Sequence, residues 1–236
     1  ICRELAVKSN VPVAVNLDHG GSYEEIIEAV RSGFTGIMVD RSNLSFKENV
    51  KQVREIVEIA HAVGISVEAE LGHVGDAGQY DMDRDAALTD ANDARRFIQE
   101  TGVDCLAVAI GTAHGAYPDH YVPYLDFDRL KEIKQITNGF PLVLHGSSGT
   151  RNEDLCKVCS MGINKVNICS DLNQAAWDAV LEGKASEAST YDFYTLIHDG
   201  IKKKLKQVIE LYGSSGKAWK PVNHGLIRKE ISMKEG

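Results

Sequence analysis

Three histidines stand at the ends of apolar, strand-like runs in this chain. His19 follows VAVNLD, His114 follows LAVAIGTA and His145 follows PLVL. Imidazole is the commonest metal ligand near neutral pH, and three histidines around an open coordination position form a recurrent catalytic zinc pattern. Each one alone would be interpreted as a buried histidine with satisfied hydrogen bonds. Their shared position at strand ends predicts instead that they converge on one metal ion.

Composition narrows the class of protein. With 236 residues and 43% hydrophobic content, the chain can bury one sizeable core, so we expect a single domain over 1–236. A net charge of -8 argues against general nucleic-acid binding, which needs clustered Lys and Arg. No run approaches 18 apolar residues, no secretion signal is visible, and the five cysteines are irregularly spaced. These features predict a cytoplasmic protein without a membrane partner.

Apolar runs alternate with helical patterns along the whole chain. Helix starts are indicated by capping-box patterns at Ser22, Ser45 and Thr150, each with a glutamate three residues later. The predicted strands are 12–18, 35–40, 65–71, 103–111, 141–145 and 164–169. The predicted helices are 22–33, 45–63, 90–101, 126–138, 152–162, 171–183 and 191–212. This order favours an α/β protein with a parallel sheet, either open and doubly wound or closed into a barrel.

The position of the histidines favours the barrel. No Gly-x-Gly-x-x-Gly follows a strand, so the dinucleotide-binding form of the open sheet lacks its fingerprint. In a barrel, residues at the carboxyl ends of different strands converge on one site. Such a barrel has eight strands and the pattern contains six, so we predict a (β/α)₈ TIM barrel that lacks its first two βα units in this chain.

Five ordered motifs carry a family resemblance. They are NLDHG at 16–20, VEAELG at 67–72, AIGTAHG at 109–115, LVLHGSSG at 142–149 and KVNI at 165–168. Together they resemble the class II, zinc-dependent fructose-bisphosphate and tagatose-bisphosphate aldolase family from about residue 10 to about 220. The resemblance implies a (β/α)₈ barrel and a lyase of carbohydrate metabolism, including glycolysis. It implies cleavage or formation of a ketose phosphate or bisphosphate, giving dihydroxyacetone phosphate and an aldehyde through a zinc-stabilised enediolate. Relatives are homo-oligomers, either dimers or tetramers.

The resemblance also assigns roles around the metal. It makes His19, His114 and His145 the Zn²⁺ ligands, and Asp18 the group that exchanges the proton of the C4 hydroxyl. Asp40 and Glu70 match positions that hold the displaced zinc, a second divalent ion or a monovalent cation. Asp18 could instead orient a histidine, and the other two carboxylates could simply accept backbone or lysine hydrogen bonds. Because neighbours on a strand point to opposite faces, Asp18 and His19 reach one site only if the strand ends there.

Phosphate recognition is expected in the loops after the last two strands. Barrels commonly bind phosphate there through backbone amides and a helix start, which lets an acidic protein bind an anion. The family adds a glycine after the second histidine to this shell, and a contact from an asparagine to the dihydroxyacetone moiety. The predicted substrate-binding residues are Gly115, Gly146, Ser147, Ser148, Asn167, Ile168, Cys169 and Ser170.

Three departures from the family leave alternatives open. Gln79 stands in the predicted 71–90 lid where relatives carry an acid/base glutamate, the segment 186–195 lacks the arginine that grips a distal phosphate, and Cys169 replaces Asp or a small residue. One alternative is therefore a barrel that binds a sugar phosphate without turnover. Another is a Schiff-base aldolase using Lys165. The pair Cys156 and Cys159 has zinc-type spacing but lies alone in a predicted helix, and the lysines of 202–206 are expected on a solvated helix face.

Overall fold

The computed structural model describes residues 1–75, 77, 87–115, 117, 123–186 and 188–219. Gln79, in the predicted lid, lies outside these residues. Over the described part of the chain, no helix combines the length and the apolar content that a membrane crossing requires.

Six parallel strands form one sheet in chain order, so each strand pairs with its sequence neighbours. The strands are β1 (Asn16–Gly20), β2 (Gly36–Val39), β3 (Ser66–Leu71), β4 (Cys105–Val108), β5 (Leu142–Leu144) and β6 (Ile163–Val166). Sequential parallel pairing confirms the predicted parallel α/β arrangement. The sheet is strongly curled, so that its first and last strands approach each other at their carboxyl ends. Asn167, just after β6, donates a hydrogen bond of 2.8 Å to Asp18 of β1. The carboxyl ends of the strands therefore surround one common mouth.

Helices connect successive strands. Over the described residues they are α1 (Cys2–Lys8), α2 (Tyr23–Arg31), α3 (Phe46–Ala62), α4 (Ala91–Thr101), α5 (Phe127–Ile136), α6 (Asn152–Met161), α7 (Ser170–Ala185) and α8 (Phe193–Leu211), with a 3₁₀ turn at Thr190–Asp192. Each predicted helix is present, and no end differs from the prediction by more than two residues. The periodicity succeeded because each helix packs one apolar face on the sheet.

The three predicted capping boxes have different outcomes. Ser22 forms both reciprocal bonds with Glu25, as predicted. Ser45 accepts from the amide of Glu48, but that glutamate's side chain accepts instead from Gln52. The box at Thr150 is wrong. Helix α6 begins at residue 152 as predicted, but its N-cap is Arg151, which makes no side-chain hydrogen bond to the helix.

All six predicted strands extend beyond the observed ones at one or both ends. At the first and the fourth strand, the reason is that backbone groups leave the ladder to bond with side chains. The first strand begins at Asn16 rather than 12, and the amide of Val15 donates to the Thr35 hydroxyl instead of a strand partner. Beyond β4, the amide of Ala109 donates to the Thr89 hydroxyl at 2.8 Å, and the amide of Thr89 returns a bond to the Ala109 carbonyl. Strand β4 therefore ends at Val108, and the next residues form a loop that carries His114.

The two faces of the sheet have different contents. The outer face packs on the helices through a large buried cluster that includes Ile37, Val67, Leu106 and Leu144. The inner face holds a small cluster of Met38, Ala107 and Val143, with Cys105 against it. Glu68 is also buried there, with a cysteine thiol and a lysine ammonium as neighbours. Ionisable groups therefore occupy the concave side, directly below the mouth.

Candidate active site

The end of β1 turns two neighbouring side chains toward the mouth. His19 has a φ of 49°, one of two positive values among described non-glycine residues, and the pairing register with β2 shifts between Leu17 and Gly20. This left-handed residue breaks the alternation of an ideal strand, so Asp18 and His19 both line one cavity. Such strain at a non-glycine residue is typical of functional sites.

The three predicted metal ligands converge. One nitrogen each from His19, His114 and His145 lies within 4.8 Å of the others, and the ring centroids are 4.6 to 5.7 Å apart. His19 Nε2 lies 3.0 Å from His145 Nδ1. Tetrahedral ligands at about 2.0–2.1 Å from a zinc ion would lie about 3.3 Å apart, so the observed spacing suits a shared ion.

Carboxylates hold the outer nitrogens of two of these rings. His19 Nδ1 lies 2.8 Å from Asp40 Oδ2, and His145 Nε2 lies 2.8 Å from Glu68 Oε1. Each carboxylate accepts the ring proton, which leaves the lone pair of the other nitrogen facing the mouth. Two such lone pairs only 3.0 Å apart repel each other unless a cation or a proton lies between them. The arrangement therefore fits a divalent metal ion.

His114 completes the set of three imidazoles. Its Nε2 is buried and has no partner among the described residues. Burial and the two neighbouring imidazoles lower its pKa to about 4, so the ring is neutral at pH 7. A neutral imidazole with a free buried nitrogen is the form that binds a metal ion.

Asp40 is a fixed carboxylate at the end of β2. Its Oδ1 accepts from the amide and hydroxyl of Ser42, and its Oδ2 accepts from His19. Burial alone would raise its pKa, but these hydrogen bonds outweigh burial and hold the pKa well below its usual range. The same bond with Asp40 raises the pKa of His19, despite the opposing effect of burial.

Glu70 lies beside this pair but has few partners. Its Oε1 accepts from the amide of Val74 at 2.9 Å, whereas its Oε2 has no partner among the residues described. Complete burial and the nearby Asp40 carboxylate raise its pKa to about 7. Ligand atoms of His19, Asp40 and Glu70 also lie within 4.8 Å of one another, so this group is a second possible cation position.

A cavity of about 240 Å³ adjoins the histidines on the β5 and β6 side. All eight predicted substrate-binding residues line it, together with Asp18, His19 and His114. Helix α7 begins here with Ser170. Asp171 donates its amide to the Ser148 hydroxyl, and the next two amides donate to the Cys169 carbonyl, so these three amides are already occupied. Gly146 has a φ of 65°, and a Cβ there would lie 2.4 Å from the Ala113 carbonyl oxygen. Only glycine therefore allows the two loops to approach this closely.

Two residues outside the predicted set belong to the site. Glu68 bonds to His145, and Lys165 donates to Glu68 Oε2 at 2.7 Å and to Asn167 Oδ1 at 2.6 Å. The sequence signal for Glu68 was its position two residues before Glu70, on the same strand face. Lys165 is the nucleophile of the Schiff-base alternative, but its Nζ donates to two protein acceptors, one of them a buried carboxylate.

Other candidate positions lie apart from the cavity. Tyr191, in the segment without the expected arginine, is 94% exposed. Cys156 donates to the carbonyl of Leu211, and neither it nor Cys159 belongs to a described cluster that could hold a metal. Within 202–206, Lys204 pairs with Asp171 at 3.0 Å, and most of the run is exposed, as predicted.

Comparisons with known proteins place this geometry in a family. The family model "Fructose-bisphosphate aldolase class-II" matches residues 1–217. A fructose-bisphosphate aldolase from Thermus caldophilus is 39% identical over 91% of this chain and 78% of its own length. Another from Geobacillus stearothermophilus is 40% identical over 88% of this chain and 72% of its own. The crystal structure of the YdjI aldolase from Escherichia coli K12 superposes with a TM-score of 0.79 at 36% identity, covering 92% of this chain and 74% of that one.

Proposed function

Because the chain belongs to the class II fructose-bisphosphate aldolase family and is therefore a carbon–carbon lyase, we propose that it cleaves a ketose phosphate to dihydroxyacetone phosphate and an aldehyde with the help of Zn²⁺. The observation that carries the proposal is the pair of imidazoles, His19 and His145, each anchored on a carboxylate and facing the other at 3.0 Å beside Asp18.

His19, His114 and His145 would hold the ion. When bound, it supplies a Lewis acid that stabilises the negative charge that develops on the oxygens of the ketose fragment. The carboxylates of Asp40 and Glu68 fix the orientation of two rings, which limits the rearrangement needed on binding. Asp40 and Glu70, with His19, would offer a further position to the displaced zinc, to a second divalent ion or to a monovalent cation.

Asp18 would move the proton. In cleavage, its carboxylate accepts the proton of the C4 hydroxyl while the C3–C4 bond breaks, and the electron pair of that bond stays with the dihydroxyacetone fragment. In condensation the proton returns to the new hydroxyl. The hydrogen bond from Asn167 Nδ2 to Asp18 Oδ1, at 2.8 Å, holds the carboxylate at the edge of the cavity.

The loops around the cavity would bind the phosphate of the dihydroxyacetone half. Their donors would be backbone amides and the hydroxyls of Ser148 and Ser170, so no lysine or arginine is required. The proposed phosphate ligands are Gly115, Gly146, Ser147, Ser148, Ile168, Cys169 and Ser170, with Asn167 on the dihydroxyacetone moiety.

The assay that tests this proposal combines metal analysis with release of dihydroxyacetone phosphate. Purified protein should contain about one zinc ion per chain, and chelation should abolish release until zinc is restored. Substrates should include ketose 1-phosphates with and without a second phosphate, because the segment 186–195 lacks the expected arginine. Protein that binds these substrates but never cleaves them would refute the proposal. Activity that survives chelation, with a borohydride-trapped adduct, would indicate a Schiff base on Lys165.

Architecture, assembly and location extend the proposal. We infer that the six strands occupy the positions of strands three to eight of an eight-strand barrel, consistent with coverage of 72% to 78% of the curated relatives.

Trp177 on α7 is 61% exposed, and we propose that such apolar groups are covered in a homodimer or homotetramer. Light scattering should then give two or four times the chain mass. All five cysteines are free, which supports the proposed cytoplasmic location.

A further inference from the structure

A lysine outside the proposed metal and phosphate ligands joins both halves of the site. Lys165 on β6 places Nζ 2.7 Å from Glu68 Oε2 and 2.6 Å from Asn167 Oδ1. The Glu68 side chain is 3% exposed and that of Lys165 is 38% exposed. A single ammonium group therefore touches a buried carboxylate on β3 and an amide at the edge of the cavity.

The bond to Asn167 determines which way its amide points. An ammonium group has only donors, so the carbonyl oxygen of the amide must face it. The NH₂ group then faces Asp18 Oδ1 at 2.8 Å and His145 Nδ1 at 3.3 Å. In the opposite orientation, the amide oxygen would face the Asp18 carboxylate, and two acceptors would repel each other. Lys165 thus sets the donor that Asn167 offers to the cavity.

The bond to Glu68 acts on the metal side. Lys165 occupies Oε2 of this carboxylate, which leaves Oε1 to accept the ring proton of His145 Nε2 at 2.8 Å. Fixing that proton on Nε2 keeps the lone pair of Nδ1 directed into the mouth. One lysine therefore orients a proposed metal ligand through a carboxylate, and orients a proposed substrate contact directly.

We propose that Lys165 is a positioning residue that sets the orientation of Asn167 and of His145 at the same time. The inference rests on the proposed function, because it assigns a purpose to that geometry. Lys165 does not itself take part in the reaction, since its ammonium group donates to two protein acceptors. In the Schiff-base alternative, by contrast, Lys165 would be the nucleophile.

The chain offers a matched control for this lysine. Lys134 on α5 also bonds a β6 asparagine, because its Nζ donates to Asn164 Oδ1 at 2.8 Å and to the Phe140 carbonyl at 2.7 Å. Asn164 immediately precedes Lys165, but it caps the amide of Leu142 at the start of β5, away from the mouth. Replacing either lysine by methionine removes the same kind of bond from opposite ends of the sheet.

The test compares three variants of the zinc-loaded enzyme. We expect Lys165→Met to lower kcat about 10²-fold, since misplacing a substrate contact by about 1 Å can have this effect. Lys165→Arg retains a cation with several donors and should recover activity to within about tenfold of wild type. Lys134→Met should change kcat less than about threefold, because its bonds lie away from the mouth. Zinc affinity, measured by competition with a chromogenic chelator, should fall about tenfold in Lys165→Met only.

A double-mutant cycle separates positioning from general loss of stability. In an Asn167→Ala background, Lys165→Met should lower kcat far less than it does in wild type, because its target amide is gone. Equal effects in both backgrounds, or unchanged kcat and unchanged zinc affinity in Lys165→Met, would overturn the inference.

A further pair covers the case in which Lys165→Met does not fold because Glu68 is left unpaired. The Glu68→Gln/Lys165→Met double variant has no buried charge there, and its kcat should lie at least about tenfold below that of Glu68→Gln alone. Equal kcat values would contradict the inference. If wild-type enzyme cleaves no ketose phosphate, the proposed function fails, whereas the zinc-affinity comparison still decides the role of Lys165.

Discussion

The two sides of the mouth have opposite electrostatic character. The ends of β1, β2 and β3 carry Asp18, Asp40 and Glu70, three carboxylates grouped around the imidazoles. The side formed after β5 and β6 contributes glycines and serines to the cavity, and none of the described residues that line the cavity from this side is acidic. A protein of net charge -8 can therefore offer one region to a cation and another to an anion, because the charges are segregated by strand.

A sharper contrast lies within the acidic side. Glu68 and Glu70 are two residues apart on β3, both are buried, and their pKa values shift in opposite directions. For Glu68, burial raises the pKa, but the bonds from His145 and Lys165 outweigh it and lower the pKa. For Glu70, burial and Asp40 raise the pKa to about 7, since its neighbours do not outweigh them. Partners, rather than depth, decide the charge of a buried carboxylate.

The largest expected effect is on the acidic side. Asp18→Asn keeps the shape of the side chain but cannot take up a proton, so kcat should fall roughly 10²-fold or more. Zinc content should stay unchanged, because the three imidazoles are intact. Steady-state kinetics and metal analysis measure the two quantities.

Asp126→Asn is the control for a carboxylate elsewhere. Asp126 caps α5 by accepting from the amide of Arg129 at 2.9 Å, so its loss should affect unfolding and leave kcat unchanged. A kcat for Asp18→Asn within about threefold of wild type would rule out the proposed proton transfer.

The second prediction uses pH to separate the two glutamates in metal-free protein. Folded Glu70 holds its proton up to a pH of about 7, whereas the unfolded chain releases it near 4.5, so this group's contribution to stability falls as pH rises between these values. The difference in free energy of unfolding between Glu70→Gln and wild type should therefore shift by about 3 kcal/mol in favour of the variant as the pH rises from about 4.5 to about 8. Urea denaturation at several pH values measures this difference.

Glu68→Gln should show the opposite sign. The lowered pKa of Glu68 stabilises the folded protein above the unfolded-state value, and that contribution is lost as pH falls toward the folded-state pKa. Relative to wild type, the free energy of unfolding of Glu68→Gln should thus fall with rising pH, whereas that of Glu70→Gln should rise. If the free energies of unfolding of the two variants changed with pH in the same direction, hydrogen-bond partners would not be what distinguishes these carboxylates.

A third, smaller effect is expected on the phosphate side. Gly146→Ala introduces a Cβ into a left-handed residue against the Ala113 carbonyl oxygen. The KM for the ketose phosphate should rise about tenfold, and the free energy of unfolding should fall by roughly 2 kcal/mol or more.

Gly139→Ala isolates the backbone part of this effect. Gly139 also has a positive φ, of 78°, but a Cβ added at this residue would meet no atom within 4 Å. We expect about 1 kcal/mol of destabilisation and an unchanged KM. Equal KM values in the two alanine variants would mean that the approach of the two loops does not shape the phosphate site.

The smallest effect should come from the cysteine pair, which lies on neither side of the mouth. Cys156→Ser retains a donor for the Leu211 carbonyl, so the free energy of unfolding should change by less than about 0.5 kcal/mol. Zinc content measured by mass spectrometry should be identical to wild type. A lower zinc content in this variant would show that the cysteine pair belongs to a metal site away from the mouth.

Much of the architecture could be predicted from local patterns. All six strands and the seven predicted helices were located, because their periodicity reflects one face packed on a continuous core. Errors fell at ends, as at Thr150 and at residues 12 to 15, where a side chain or a turn takes a backbone bond that a strand or helix would have used. Such competition depends on residues distant in sequence.

The sequence by itself determined the identity of the chemical groups and their place at strand ends, since parallel strands bring their carboxyl ends together whatever the details. It therefore indicated the three histidines, Asp18 and the loops that we propose to bind phosphate. Only the tertiary structure decided the orientation and charge of these groups. The left-handed turn at His19, the bond from Lys165 that orients Asn167, and the opposite pKa shifts of Glu68 and Glu70 all arise from contacts between strands far apart in sequence. Contacts of that kind leave no local pattern to read.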